Sequence, residues 1–189
     1  VDRLFSSHQY GEAGRQIYDF FWGDYADWYL EVAKEQISQG GDRAYYTRET
    51  LIKVLDISLR LLHPFTPYVT EELWQHLKKA VNSSPFQELS APWPEALMIA
   101  DWPEVRPESD WEEDKIKDFG LMQDIVRTIR NLRAEKNVTP GHRIPAVFAS
   151  EDYASILDQE QAVIASLAQL DKGQITIHKS LDEKPRGHI

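Results

Sequence analysis

Two prolines three residues apart, Pro64 and Pro67, interrupt the apolar run LRLLHPFTPYVTEELWQHL at residues 59–77. Proline removes a backbone donor and clashes with the preceding turn, so one helix cannot run through both. The residue before a proline is steered away from helical geometry, which predicts that His63 leaves the helix. A histidine there is read as a cap on the last carbonyls. Thr66–Pro67 has the form of a helix start: a hydroxyl cap, then proline at the first helical position, where its missing N–H does no harm. The chain should therefore fold as two helices meeting at a stiff corner, with Phe65 and Tyr68 pinning that corner into the core.

Helical periodicity extends on both sides of the corner. Ile17, Phe20, Phe21, Tyr25, Trp28, Tyr29 and Val32 recur at three- and four-residue spacing, predicting one helix over residues 12–38. Gly23 inside it costs about 1 kcal/mol relative to alanine, which a close helix–helix approach would explain. Gly40–Gly41 ends this helix, and Asp42 is placed to cap the next. That next helix turns Leu51, Val54, Leu55, Ser58, Leu61 and Leu62 inward, and the helix after the corner does the same with Val69, Leu73, Trp74 and Leu77. Residues 82–110 hold half of the prolines and read as a strap anchored by Trp93 and Trp102. A fourth long helix follows, with Phe119, Met122, Ile125, Val126, Ile129 and Leu132 as its stripe. Arg133 projects within about 20° of Met122 on this helix, so either the stripe ends there or a carboxylate or ligand holds the guanidinium.

After residue 138 the period changes. RIPAVFA reads as a strand, residues 151–170 as a helix with Tyr153, Ile156, Leu157, Ile164 and Leu167 buried, and QITIH as a second strand. The terminal DEKPRGHI is polar and expected to be loose. The expected fold is mainly α: an antiparallel helix bundle over residues 1–138, strap included, and a small C-terminal β-α-β unit over residues 139–189.

Composition narrows the function. The chain has no cysteine, which excludes disulfides, thiol catalysis and cysteine-based zinc sites. It lacks an apolar stretch long enough to span a membrane and a recognisable signal peptide, so a cytoplasmic location is expected. A net charge of −10 argues against indiscriminate coating of nucleic acid but leaves room for a local basic face. No glycine-rich phosphate loop, nucleophile elbow or His-Glu-x-x-His pair occurs, and the six histidines show no ligand spacing. No catalytic or metal-binding residue is assigned.

The strings FFWGDYADWYLEVAK, LRLLHPFTPYVTEELWQHL, ALMIADWPE and QDIVRTIRNLRAEKNVTPGHRIPAVF occur in this order. Together they resemble the anticodon-binding region of the valyl-tRNA synthetases, class I aminoacyl-tRNA synthetases related to the isoleucyl and leucyl enzymes. The resemblance covers residues 18–177. It implies a helical bundle that holds the anticodon stem-loop of a valine tRNA. ATP with magnesium, and the catalytic and editing domains, would belong to other parts of a longer polypeptide. No cofactor, membrane or DNA partner is expected for these residues themselves. An isoleucyl or leucyl equivalent, and a helical protein–protein module without an RNA role, are the alternatives.

Trp28 corresponds in the resemblance to a tryptophan associated with anticodon reading in the methionyl enzyme, whereas its place on the stripe makes it a core residue. Lys34 and Arg43 flank the end of the first helix and are candidates for phosphate contact. Arg127, Arg130, Arg133 and Lys136 form a second candidate face, although cations at a helix C-terminus also suit the helix dipole alone.

Overall fold

The computed structural model describes residues 1–83, 93–107 and 109–180. Contacts divide the chain into two compact units, Val1–Arg106 and Pro107–Ile189.

The first unit is helical. Helix α1 spans Asp2–Ser6 and α2 spans Tyr10–Asp19; a π-helical stretch over Phe20–Tyr29 leads directly into α3, Leu30–Ser38. One rod thus runs through the segment predicted as a single helix, but its aromatic middle is wound wider than an α-helix. Ile17, Tyr25, Trp28 and Val32 are buried along it. The expectation for Gly23 fails, because a Cβ there would meet nothing within 4 Å. The close approach is at Gly14, where a Cβ would lie 3.1 Å from the Phe65 ring.

Gly40 and Gly41 turn the chain with φ of 75° and 63°, a region that glycine enters without steric cost. Helix α4, Gly41–Leu62, is capped by Gly40 rather than by Asp42, which lies in its first turn. Helix α5, Pro67–Asn82, begins with proline at its first position as predicted. The corner differs in detail. His63 keeps helical angles, φ −56° and ψ −41°, and residues 64–66 make the turn. Its Nδ1 lies 2.8 Å from Thr70 Oγ1, whose own proton goes to Thr66 O. This link between the two helices offsets the bias that the following proline imposes. The Thr66 hydroxyl donates backward to Leu62 O at 3.3 Å instead of capping α5.

Trp74 packs with Leu59 and Leu97 at the centre of a core that Leu55, Leu77, Trp93 and Ala100 extend. On α4 the fully buried positions are Ala44, Thr47, Ser58 and Leu59, while Leu51, Val54, Leu55, Leu61 and Leu62 are half-buried. Helix α5 buries Thr70, Trp74 and Val81, so Val69 and Leu73 lie outside the core, contrary to expectation. Tyr68 is 92 % exposed and pins nothing. Of the two, Phe65 braces the corner, packing against Gly14 and edge-on to Phe5. Trp74 lies on the α4 side, and positions one residue before it or two before Thr70 are rotated away from that contact.

The described part of the strap lies along α5 and α4. Its anchors are those predicted: Trp93 packs on Trp74 with ring centroids 4.9 Å apart, and Trp102 meets Phe5 edge-on at 4.9 Å. Lys78 Nζ donates to Pro94 O at 2.6 Å and Gln75 Nε2 to Glu95 O at 2.8 Å. Leu97 N donates to Glu71 Oε2, and Trp102 Nε1 to Asp2 Oδ1, both at 2.8 Å. Irregular backbone is thereby satisfied by side chains of neighbouring helices, as burial requires. Strap residues 84–92 and 108 lie outside the described residues, as do residues 181–189 of the tail.

In the second unit, helix α6 (Glu112–Glu135) packs with α7 (Ala154–Gln159) and α8 (Gln161–Ala168). Strands β1, Ile144–Ala149, and β2, Leu170–His178, pair in parallel, with Val147 opposite Thr176 and Phe148 opposite Ile177. The predicted single helix between them breaks at Glu160, and β2 starts four residues earlier than QITIH. Leu157, Val163, Ile164, Ala165, Leu167 and Ala168 form the buried side; Tyr153 is exposed. On α6, Met122, Val126 and Arg133 are buried whereas Leu132 is exposed, so the stripe turns toward Arg133 at its end.

Candidate functional site

Lys34 on α3 and Arg43 on α4 flank the glycine turn of the α3–α4 hairpin, and both are exposed. Lys34 pairs with Glu31 one turn earlier on the same rod. Arg43 lies in the first turn of α4, beside the glycine turn. Beneath them the Thr47 hydroxyl shares its proton between Arg43 O at 2.7 Å and Gln36 Oε1 at 3.0 Å, the latter bond linking α4 to α3. This cross-link makes the hairpin end a rigid surface. Tyr45, Tyr46 and Arg48 are also exposed here. The sequence reading missed these three residues. Their signal was the order Arg-x-Tyr-Tyr-x-Arg, but a tyrosine pair on a helix fits a core as readily as a surface until the buried face is known.

Trp28 is only 9 % exposed and packs inside the first unit. Its neighbour Tyr25 is buried too, and its hydroxyl donates to Leu51 O at 3.1 Å. Burial pushes the Tyr25 phenol up to about 12, and burial also raises that of Tyr29. These shifts arise because a phenolate would lose its hydration in the packed interior. The exposed aromatic groups of the same rod are Tyr10, Tyr18, Phe20 and Trp22, the last three on its middle. They stand among carboxylates: residues 9–33 contain five, against one cation, Arg15. Arg15 bridges Glu12 at 2.7 Å and Asp19 at 3.1 Å, and its hydrogen bond holds Glu12 below the usual carboxylate range.

In the second unit the four candidate cations separate. Arg133 is 7 % exposed; Nη2 donates to His142 O at 2.7 Å and Nη1 to Gln169 O at 3.2 Å. Two backbone carbonyls and the Gln169 side-chain oxygen therefore hold this guanidinium. Arg130 donates twice to Leu167 O, at 3.1 Å from Nε and 2.9 Å from Nη2. Both arginines serve the C-terminal end of α8, where carbonyls lack intrahelical partners and carry partial negative charge. Arg127 pairs with Asp124 at 3.1 Å, and Lys136 is exposed just past the end of α6.

No group of three or more His, Asp or Glu side chains able to hold a metal occurs among the described residues. Nor is any helix among them long and apolar enough to cross a membrane. Each unit offers exposed cations on helices, and the first unit exposed aromatic rings as well, groups that can contact phosphates and stack on bases.

The sequence pattern of the family described as "Anticodon-binding domain of tRNA ligase" matches residues 1–148. The chain is 36 % identical over 184 residues to "Valine--tRNA ligase, chloroplastic/mitochondrial 2" of Arabidopsis thaliana, covering 93 % of this chain and 17 % of that protein. It is 37 % identical over 174 residues to "Valine--tRNA ligase" of Carboxydothermus hydrogenoformans, covering 89 % of this chain and 18 % of the relative. With the protein of the same name from Geobacillus stearothermophilus, identity is 39 % over 154 residues, 80 % of this chain and 16 % of the relative. The chain thus spans less than a fifth of the length of these relatives. Because the match takes in the whole helical rod, the proline corner, the strap and α6, this chain belongs to the family of anticodon-binding domains of tRNA ligases.

Proposed function

We propose that this chain is the part of a cytoplasmic valine–tRNA ligase that holds the anticodon stem-loop of a valine tRNA. Catalytic and editing domains elsewhere in a longer polypeptide join valine to that tRNA with ATP and magnesium. The observation that carries this reading is alignment over 80 % or more of the chain with valine–tRNA ligases. The physical arrangement supports it. Loop nucleotides are bound by stacking, by hydrogen bonds to base edges and by phosphate contacts, all of which need a stiff platform. Lys34, Arg43, Arg127 and Lys136 are the exposed cations proposed to meet phosphates. In this reading Trp28, Arg130 and Arg133 act from beneath, holding the surfaces in shape.

Filter binding of the 189-residue chain to valine, isoleucine and leucine tRNAs tests the proposal. Tighter binding of the valine tRNA, lost when its anticodon is changed and weakened steeply by salt, is the expected outcome. Preference for the isoleucine or leucine tRNA would move the chain to a sister enzyme. Absence of tRNA binding at low salt would overturn the reading.

A further inference from the structure

We propose that the end of the α3–α4 hairpin is a stacking site for an unpaired nucleotide of the RNA loop. Tyr46 supplies the stacking ring, Tyr45 supports it, and Arg43 and Arg48 take the flanking phosphates. The inference rests on the anticodon-binding reading and names the residues that carry it out.

Tyr46 is 63 % exposed, an unusual position for a ring that could bury most of its area. Tyr45 meets it edge-on, with centroids 5.5 Å apart and planes at 85°, which limits the ring's freedom. Arg43 lies three residues before Tyr46 and Arg48 three residues after Tyr45, so each guanidinium shares a side of α4 with one ring. The two pairs straddle the outer ridge of the helix. A strand crossing that ridge would meet a cation, two rings and a cation in order. The Thr47 cross-link to α3 keeps the platform rigid.

Charge decides between this aromatic group and the one at Tyr18 and Trp22. Residues 34–53 hold four cations against three carboxylates, in a chain whose net charge is −10. The Tyr18–Trp22 neighbourhood, with five carboxylates against one cation, repels a phosphate backbone.

Fluorescence anisotropy of the 189-residue chain tests the site with two probes: an RNA hairpin bearing the anticodon loop of a valine tRNA, and a fully paired duplex of the same stem. Tyr46→Ala should weaken hairpin binding about tenfold, while Tyr46→Phe, which keeps the ring, should bind within about twofold of the unaltered chain. Arg43→Glu with Arg48→Glu should reduce the slope of log affinity against log salt by about 1.4, two phosphates at about 0.7 each. Duplex binding should not respond to Tyr46→Ala. Unaltered hairpin affinity in both Tyr46→Ala and the double arginine variant, with the unaltered chain still binding the valine tRNA, would overturn this site and leave the function standing. Failure of the unaltered chain to bind either the tRNA or the hairpin would overturn both. Thermal unfolding midpoints, expected unchanged because all four side chains are exposed, separate lost contacts from lost folding.

Discussion

Arg133 shows how a charged residue can complete an apolar stripe. Burying a guanidinium is tolerated when its donors are used, and here His142 O, Gln169 O and Gln169 Oε1 use them. Arg133→Met should fill the space but leave those acceptors unpaired, lowering unfolding stability by about 3 kcal/mol in urea titration, with little change in slope. Arg133→Lys should recover only part of the loss, because a point charge cannot reproduce the planar fork. Tyr25 makes the opposite case, a polar group kept neutral by its surroundings. Its folded value of about 12 lies above the ordinary tyrosine value of 10.0. The neutral form is therefore favoured by folding, so the contribution is complete below pH 10 and is lost as pH rises from 10 toward about 12. Tyr25→Phe should flatten that alkaline loss, seen as a shallower fall in thermal midpoint across this window.

At the scale of elements, the proline corner and the strap act together. Helix α5 presents one face to α4 and a line of polar side chains to the strap. Asp56 on α4 closes the arrangement: Trp74 Nε1 donates to its Oδ1 at 2.7 Å, and Arg60 Nε lies 3.0 Å from its Oδ2. Arg60 then reaches Asp101 O at 3.0 Å. A single carboxylate thus satisfies the indole of the most buried aromatic side chain and orients the arginine that holds the strap. Asp56→Ala should cost about 2–3 kcal/mol, because a fully buried indole N–H loses its acceptor. Asp56→Asn, which keeps an acceptor oxygen, should cost about half as much. Denaturant unfolding followed by tryptophan fluorescence measures both, and an unchanged midpoint in Asp56→Ala would remove this network from the account.

Across the whole molecule, a strongly acidic chain is proposed to bind RNA. The conflict is resolved by distribution: carboxylates crowd the α2–π–α3 rod, while cations gather near the hairpin end and the end of α6. Phosphate attraction decays over about 10 Å at ordinary ionic strength, so local balance governs contact and net charge governs only the approach. Steep salt dependence with modest overall affinity is the signature this distribution implies, and the tRNA titrations proposed above measure it.

The long helices, the corner between α4 and α5, the tryptophan anchors of the strap and the order strand–helix–strand were legible in the sequence, whereas α1, the π-helical winding and the break at Glu160 were not. Each legible feature depends on spacing along the chain or on the backbone chemistry of proline and glycine. What sequence left open was which side of each residue met protein. Trp28, Tyr46, Tyr68 and Arg133 illustrate it: an aromatic residue on a stripe can be buried or exposed, and an arginine can be solvated or clamped. Periodicity defines a helix face but not the neighbour that covers it, since a small rotation moves Val69 and Leu73 outward and brings Thr70 inward. Only packing in three dimensions, where carbonyls at the end of α8 meet Arg130 and Arg133, decided which cations were committed to the fold and which stayed at the surface.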